Sequence, residues 1–425
     1  KRKPPDQFEI VPDMSQTRRF TGLDYGAAWV QIEQINAQVA HDNGYAGQGV
    51  LILMLDTGFN RVHSVFDSLK VVAERDFINN DSNTGADSTD SLVAEYYHGT
   101  ECLSIIGGYA PGEYIGPAYK ASYLLAKTEK TNSESPIEED LFVAGLEWGD
   151  SLGMDIASSS LGYNDWYEYS DMDGNTAMVT RAIDYAVSVG VVCVTSAGNE
   201  ADVAWRYIIA PADADSVISV GAVNSNGFIA SFSSRGPTFD GRLKPEVCAL
   251  GLGTAMANPG GAGYFNSNGT SFSAPLVSGA AAIILSAHPD WTPMMVREAL
   301  MMTASQADAP DTIYGYGIIN TWGALNYLGF GPANGDLPES IALGPAFPNP
   351  FNLVTRMMIA TRHYGEVKLD IFNLYGQFIE TAFQGDAYPG KRFVTWQPGN
   401  QPSGVYFARL KQGDQTATRK LILIK

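Results

Sequence analysis

Val50-Leu51-Ile52-Leu53-Met54-Leu55, closed at once by Asp56-Thr57-Gly58, is the stretch that decides the fold class of this chain. An apolar run without alternation reads as a strand buried on both faces, and the turn after it leaves an acid at the strand's carboxyl end. Similar runs recur at Ser122 to Ala126, Val191 to Val194 and Val217 to Val220. Helical patterns lie between them. Ile137 to Leu152 sets Leu141, Ala144, Gly145 and Trp148 on one face, with Glu138, Glu139 and Asp140 in the first turn, where acids suit the positive end of a helix. Thr176 to Val189 is a second helix, ended by Gly190. Strands alternating with helices predict an α/β unit, a parallel sheet with helices on both faces.

The 425 residues exceed one ordinary domain and fit one large unit plus a small one. Hydrophobic residues make up 45% and charged ones 17%, which excludes global disorder. Lys+Arg 27 against Asp+Glu 46 leaves a net charge of −19, which repels phosphate backbones and anionic membranes; nucleic acid is not an expected partner. The longest small-residue apolar run, Gly279 to Leu285, is too short for a transmembrane segment. Lys1-Arg2-Lys3-Pro4-Pro5 has no apolar stretch behind it, so no signal peptide is read there. Three cysteines, Cys102, Cys193 and Cys248, are not a disulfide framework.

Composition shifts after Leu328. Gly329 to Leu343 is rich in Gly, Pro and Asn and reads as a linker. Beyond it Val367 to Ile371, Arg392 to Trp396 and Val405 to Leu410 alternate, with turns at Tyr375-Gly376, Pro389-Gly390 and Ser403-Gly404. Short strands at even spacing predict a small all-β sandwich. The expected division is an N-terminal extension over 1–33, an α/β unit over 34–328, a linker over 329–344 and a β-sandwich over 345–425.

Four pieces carry chemistry. Asp56 ends a buried strand, where open α/β sheets place reactive groups. His98-Gly99-Thr100 opens a helix. Asn199 lies in Ser196-Ala197-Gly198-Asn199, straight after another strand, and its carboxamide can donate into the same crevice. Ser271 sits in Asn268-Gly269-Thr270-Ser271-Phe272-Ser273-Ala274-Pro275, ahead of a small-residue helix over Leu276 to Ala287, whose free N–H groups can hold an oxyanion. Each piece alone has a plain reading as a turn or a cap; four at one sheet edge point to acyl transfer.

Asp56-Thr57-Gly58, His98-Gly99-Thr100 and Gly269-Thr270-Ser271 with Ser273-Ala274-Pro275 resemble the three signatures of subtilisin-like serine peptidases, in the family's order of acid, histidine, serine. The resemblance runs from about Gln34 to about Asn326. Phe232 to Pro237, Lys244 to Val247 and Tyr314 to Asn320 are further family-like stretches. It implies that Asp56 orients His98, that His98 takes the proton of Ser271, and that Ser271 forms an acyl-enzyme. It implies Asn199 as the oxyanion donor, and Ser160, Leu161, Gly162, Ala197 and Gly198 as the segments that bind substrate backbone. No cofactor is required for that chemistry. Trp205 to Pro211 is expected to line the pocket for the residue before the cut, and its bulk suggests a restricted one. Phe272 and Ser273 stand where relatives often have Met and Ala, so altered packing is expected. About 45 residues precede the first strand, too few for the family's folding propeptide.

Ala346 to Asn352, Ile371 to Gly376 and Ser403 to Phe407 resemble the C-terminal sorting domains of type IX secretion cargo. That implies a secreted or cell-surface location and the secretion machinery as partner, beside protein or peptide substrates. Rival readings are a catalytically silent peptide-binding protein and a surface adhesin working through its β-sandwich. Another acyl hydrolase is disfavoured because Gly-x-Ser-x-Gly is absent around Ser271.

Metal ligation is left open. Asp81, Asp87 and Asp90 could hold structural calcium, but their loop reads as solvated. Asp171 to Asn175 resembles part of a calcium loop but lacks the later glutamate. The loop Gly107 to Glu113 lacks the pattern of the family's calcium loop. Cys102 reads as a buried small hydrophobe and His63 as structural. The acidic stretch Glu134 to Asp140 reads as a solvated helix start.

Overall fold

The computed structural model describes residues 22–85, 95–131, 135–327, 341–347, 349–352, 355–361, 365–387 and 390–424. Helices α1 (Trp29–Gln34) and α2 (Ala37–Asp42) come first, then strands β1 (Leu51–Asp56) and β2 (Lys70–Asp76) and helix α3 (Tyr97–Gly107). A two-rung hairpin, β3 (Tyr109–Ala110) with β4 (Tyr114–Ile115), follows. Next come β5 (Ser122–Lys127), α4 (Ile137–Ser151), β6 (Ile156–Ser159), α5 (Met178–Ser188), β7 (Val192–Ser196), β8 (Ile218–Val223) and β9 (Val247–Leu250). The hairpin β10 (Leu252–Ala257) and β11 (Tyr264–Asn268) leads into α6 (Thr270–Ala287), α7 (Pro293–Met302) and α8 (Thr321–Leu325).

Seven strands form one parallel sheet in the order β2-β5-β1-β6-β7-β8-β9. Its two faces explain why β1 is apolar without a break. Ile52 and Met54 pack into the layer that holds α3 and α6. Leu53 and Leu55 pack into the opposite layer, against Phe142 and Leu146 of α4 and Ile183 of α5. The chain runs outward from β1 to β2, returns through β5, then crosses to β6 on the other side. The strand order therefore reverses around β1, and the crevice at the carboxyl ends of β1 and β6 is where such sheets bind ligands.

The sequence reading located β1, β5 and β7 and helices α4 and α5 within one or two residues, and ended β8 three residues short, at Val220 rather than Val223. It began the serine helix at Leu276; α6 starts at Thr270, so Ser271 belongs to its first turn. α6 is also long and apolar enough to cross a membrane, contrary to the shorter run read from sequence. It is 89% buried inside the protein, as a core helix is. Tyr25, Ala28 and Ile32, within the stretch read as an extension, lie in the same core as α6.

The C-terminal part is antiparallel throughout. Its strands are β12 (Ala342–Phe347), β13 (Thr355–Thr361), β14 (Gly365–Asn373), β15 (Phe378–Ala387), β16 (Gly390–Trp396), β17 (Gly404–Gln412) and β18 (Gln415–Leu423). They make a three-stranded sheet, β12-β13-β16, and a four-stranded sheet, β15-β14-β17-β18. Met357, Ile359, Leu369, Ile371, Trp396 and Leu410 share one core between them. This is the sandwich that alternation predicted.

Candidate active site

β1 ends on Asp56, whose side chain is fully buried. Oδ1 accepts the Thr57 N–H at 2.8 Å and faces His98 Nδ1 at 2.7 Å. A carboxylate acceptor fixes the proton on Nδ1 and leaves Nε2 as the basic nitrogen. His98 stands in the first turn of α3, which runs hard against the end of β1. A β-carbon on Gly99 would lie 2.2 Å from the Gly58 carbonyl oxygen and 2.9 Å from Asp56 Cβ. Only glycine permits that approach. Thr100 completes the clamp: its hydroxyl accepts the Asn60 N–H at 2.7 Å and donates to the Tyr96 carbonyl at 2.6 Å.

Ser271 is positioned from below by a missing hydrogen bond. Pro275 lies inside α6 and has no N–H, so the Ser271 carbonyl loses its helical donor four residues on. The Ser160 hydroxyl donates to that carbonyl at 2.8 Å, and the Cys102 thiol lies 3.5 Å from it. In return the Ser271 hydroxyl donates to the Ser160 carbonyl at 3.2 Å. It does not bond His98 among the described residues; catalytic contacts are often loose before substrate arrives. The Phe272 ring sits 5.9 Å from the His98 ring, centroid to centroid.

Asn199 follows β7. Its Oδ1 accepts the Thr270 N–H at 2.9 Å and the Thr270 hydroxyl at 3.0 Å. Both contacts consume the carbonyl end, and Nδ2 donates to nothing among the described residues. Gly198 N–H also points at the Thr270 hydroxyl, at 3.3 Å. Between β6 and β7 the Leu161 N–H is held by the Ser159 hydroxyl at 3.3 Å, while Gly162 makes no main-chain hydrogen bond among the described residues. All nine predicted site residues, Asp56, His98, Ser160, Leu161, Gly162, Ala197, Gly198, Asn199 and Ser271, thus gather at the ends of β1, β6 and β7 and the start of α6.

The His98 side chain is 31% exposed. Burial acts to lower its pKa. The Asp56 charge and its hydrogen bond outweigh burial, with Glu101 and Glu129 adding, and the pKa ends above its ordinary value. One turn along α3, the Glu101 carboxyl is pushed up to about 7, chiefly by burial, with His98 opposing and Asp56 adding. Glu101 was not singled out from sequence, and neither was Thr270. The proline four residues after Ser271 was the available signal that its carbonyl needs an outside donor.

The acidic stretch Glu134 to Asp140, which runs into the first turn of α4, departs in part from the sequence reading: Asp140 is exposed as expected, and Glu134 lies outside the described residues. Glu138 and Glu139 are buried, not solvated. Glu138 accepts from the Lys130 and Ser135 N–H groups, and Glu139 from Trp166 Nε1, the Tyr167 hydroxyl and the Val179 N–H. His63 is structural, as expected: Nδ1 accepts the Val65 N–H and Nε2 donates to the Gly263 carbonyl.

Among the described residues no cluster of three His, Cys, Asp or Glu side chains offers an all-oxygen calcium site. Their one cluster of three potential ligands is Asp56, His98 and Cys102, a nitrogen, a sulfur and a carboxylate, whereas calcium takes about six to eight oxygens. Asp173 spends its carboxylate on the Asn175 and Thr176 N–H groups, and Asp81 on Asn83. Asp87 and Asp90 lie outside the described residues.

Asp56 paired with His98 at the end of β1, with Ser271 at the start of α6, is an arrangement compatible with an Asp-His-Ser hydrolase. The chain belongs to the subtilase family, whose profile matches residues 47–317, and it is a subtilisin-like serine peptidase. A second profile, the secretion system C-terminal sorting domain, matches residues 345–425. Subtilisin E of Bacillus subtilis is 35% identical over 295 residues, covering 69% of this chain and 70% of that protein. Subtilisin of Bacillus pumilus is 35% identical over the same length, and 97% of it is covered. Among solved structures, MycP1 with its N-terminal propeptide removed superposes with a TM-score of 0.56 at 24% identity, over 70% of this chain and 96% of that one. At that identity the likeness speaks for the fold.

Proposed function

We propose that this chain is an exported endopeptidase that cleaves peptide bonds through Asp56, His98 and Ser271 and an acyl-enzyme. The observation that carries it is the 2.7 Å contact of Asp56 Oδ1 with His98 Nδ1, which leaves Nε2 as the basic nitrogen. His98 takes the Ser271 proton as the oxygen attacks the scissile carbonyl, and returns it to the leaving amine. Asp56 holds the ring and offsets the charge of the imidazolium. The developing oxyanion receives the Asn199 amide and the Ser271 N–H. Substrate backbone adds as a strand along Ser160 to Gly162, with Ala197 and Gly198 opposite. Water then attacks the acyl ester by the same base. No cofactor enters these steps.

This reading divides the chain into a peptidase unit ending near residue 328, a linker to about residue 344 and a sorting domain over 345–425. The sorting domain is the part that meets the secretion machinery, and the destination is the cell surface or the medium. Casein hydrolysis by the wild type and by His98→Ala tests the catalytic half. Loss of at least about three orders of magnitude in the variant is expected; undiminished cleavage would overturn the assignment.

A further inference from the structure

Two glycines flank the crevice beside Ser271, one in each segment assigned above to substrate: Gly162 after β6 and Gly198 after β7. Both segments touch the serine turn, Ser160 through the Ser271 carbonyl and Gly198 through the Thr270 hydroxyl. Neither glycine fills the space between them with a side chain of its own. Another residue does. A β-carbon on Gly162 would lie 2.4 Å from Ile209 Cδ1 and 2.7 Å from Ile209 Cγ1; one on Gly198 would lie 3.0 Å from Cγ1 and 3.2 Å from Cδ1. The same branched side chain therefore rests against both glycine walls at once, and it is only 8% exposed.

Ile209 cannot easily swing away. Its N–H bonds the Ala197 carbonyl at 3.3 Å, and the next residue, Ala210, exchanges two main-chain hydrogen bonds with Tyr163 at 2.8 and 3.2 Å. Trp205 Nε1 holds the Ile208 carbonyl at 3.1 Å from the other side. A β-branched residue on a backbone pinned at both ends has few rotamers to choose from. If a substrate side chain enters between these two glycines, it would meet the Ile209 side chain there.

We propose that Ile209 sets the specificity of this peptidase, closing the pocket for the residue before the scissile bond and restricting that residue to glycine, alanine or serine. The proposal rests on the assignment of Ser160 to Gly162 and Ala197 to Asn199 as the substrate-binding segments. Hydrophobic pockets discriminate by about 10–200-fold per methylene, and the gap between alanine and phenylalanine exceeds one methylene.

The test compares kcat/KM for tetrapeptide p-nitroanilides differing only in the last residue, alanine or phenylalanine, with the full chain and with Ile209→Ala and Ile209→Gly. The wild type should favour alanine by at least about tenfold. The phenylalanine-to-alanine ratio should rise at least about tenfold in Ile209→Ala and further in Ile209→Gly. Wild-type preference for phenylalanine, or an unchanged ratio in a folded variant, overturns the proposal. Should Ile209→Gly lose its cooperative melt, the wild-type ratio and the Ile209→Ala ratio still decide. A folded wild type that cleaves neither substrate and is not labelled by a fluorophosphonate overturns the peptidase reading itself, a different failure from an active enzyme with the wrong preference.

Discussion

At His98 the chemistry turns on one proton. Its pKa lies above the ordinary value because Asp56, and behind it Glu101 and Glu129, outweigh burial. If the neutral ring is the base, as proposed, kcat/KM should rise with pH through a midpoint above about 6.5. The stability sign is opposite: a raised pKa stabilises the fold fully below about 6.5 and ceases to do so as pH climbs through the folded value. Glu101→Gln removes one carboxylate from beside the ring and should move the acid limb of the pH–rate profile downward. A limb that stays in place would contradict that coupling. Asn199→Ala should lower kcat by about 10²–10³ with little change in KM, the size of the effect measured when a subtilisin loses its own oxyanion asparagine. Thr270→Val keeps the Thr270 N–H on Asn199 Oδ1 but removes the hydroxyl, so kcat should fall by about tenfold or less, the worth of one hydrogen bond.

At the scale of elements, the site depends on junctions more than on strands or helices themselves. Pro275 leaves the Ser271 carbonyl to the Ser160 hydroxyl. Ser160→Ala should therefore cost about 1–3 kcal/mol of unfolding free energy, the penalty for a buried acceptor deprived of its donor. Denaturant titration measures it; no change would mean that the Cys102 thiol or water suffices. A second junction lies under β8 and β9. Glu246 is buried and its pKa held down: burial acts to raise it, but Lys244 at 2.8 Å and Arg297 at 2.7 Å prevail. Glu246→Gln leaves two cations facing a neutral amide and should cost about 3–5 kcal/mol. These junctions mark the limit of what the sequence discloses. β1 was legible because both of its faces are buried, which makes its pattern unbroken. β2 was not, because its half-exposed residues from Lys70 to Asp76 mix charged and apolar groups. Glu138 and Glu139 look like any acidic helix start until Trp166 and Tyr167 arrive from thirty residues on. The nine candidate site residues were proposed from short local motifs. Thr270 as the holder of Asn199 was not, because that role exists only once distant segments meet; the bulk of Trp205 to Pro211 was read from sequence, but which of its residues lies against both Gly162 and Gly198 was not.

At the scale of the molecule, the two parts differ in charge as well as in architecture. Residues 345–425 carry ten Lys and Arg against five Asp and Glu, a net of +5 in a chain of net −19. They also bury a core of their own, in which residues from both sheets meet. The subtilase profile matches residues 47–317 and so does not include this part. A chain ending at Tyr327 should therefore keep casein hydrolysis within about threefold, and residues 345–425 fused to a reporter should carry it out of a cell that possesses the matching secretion system. Retention of that reporter inside such a cell would contradict the sorting role. The central claim is narrower: Ser271 is the nucleophile. It is tested most directly by labelling the full chain and Ser271→Ala side by side with a fluorophosphonate probe, after circular dichroism has shown both folded. One labelled band in the wild type and none in the variant is the predicted result. Equal labelling of both, or none of a folded wild type, would contradict it.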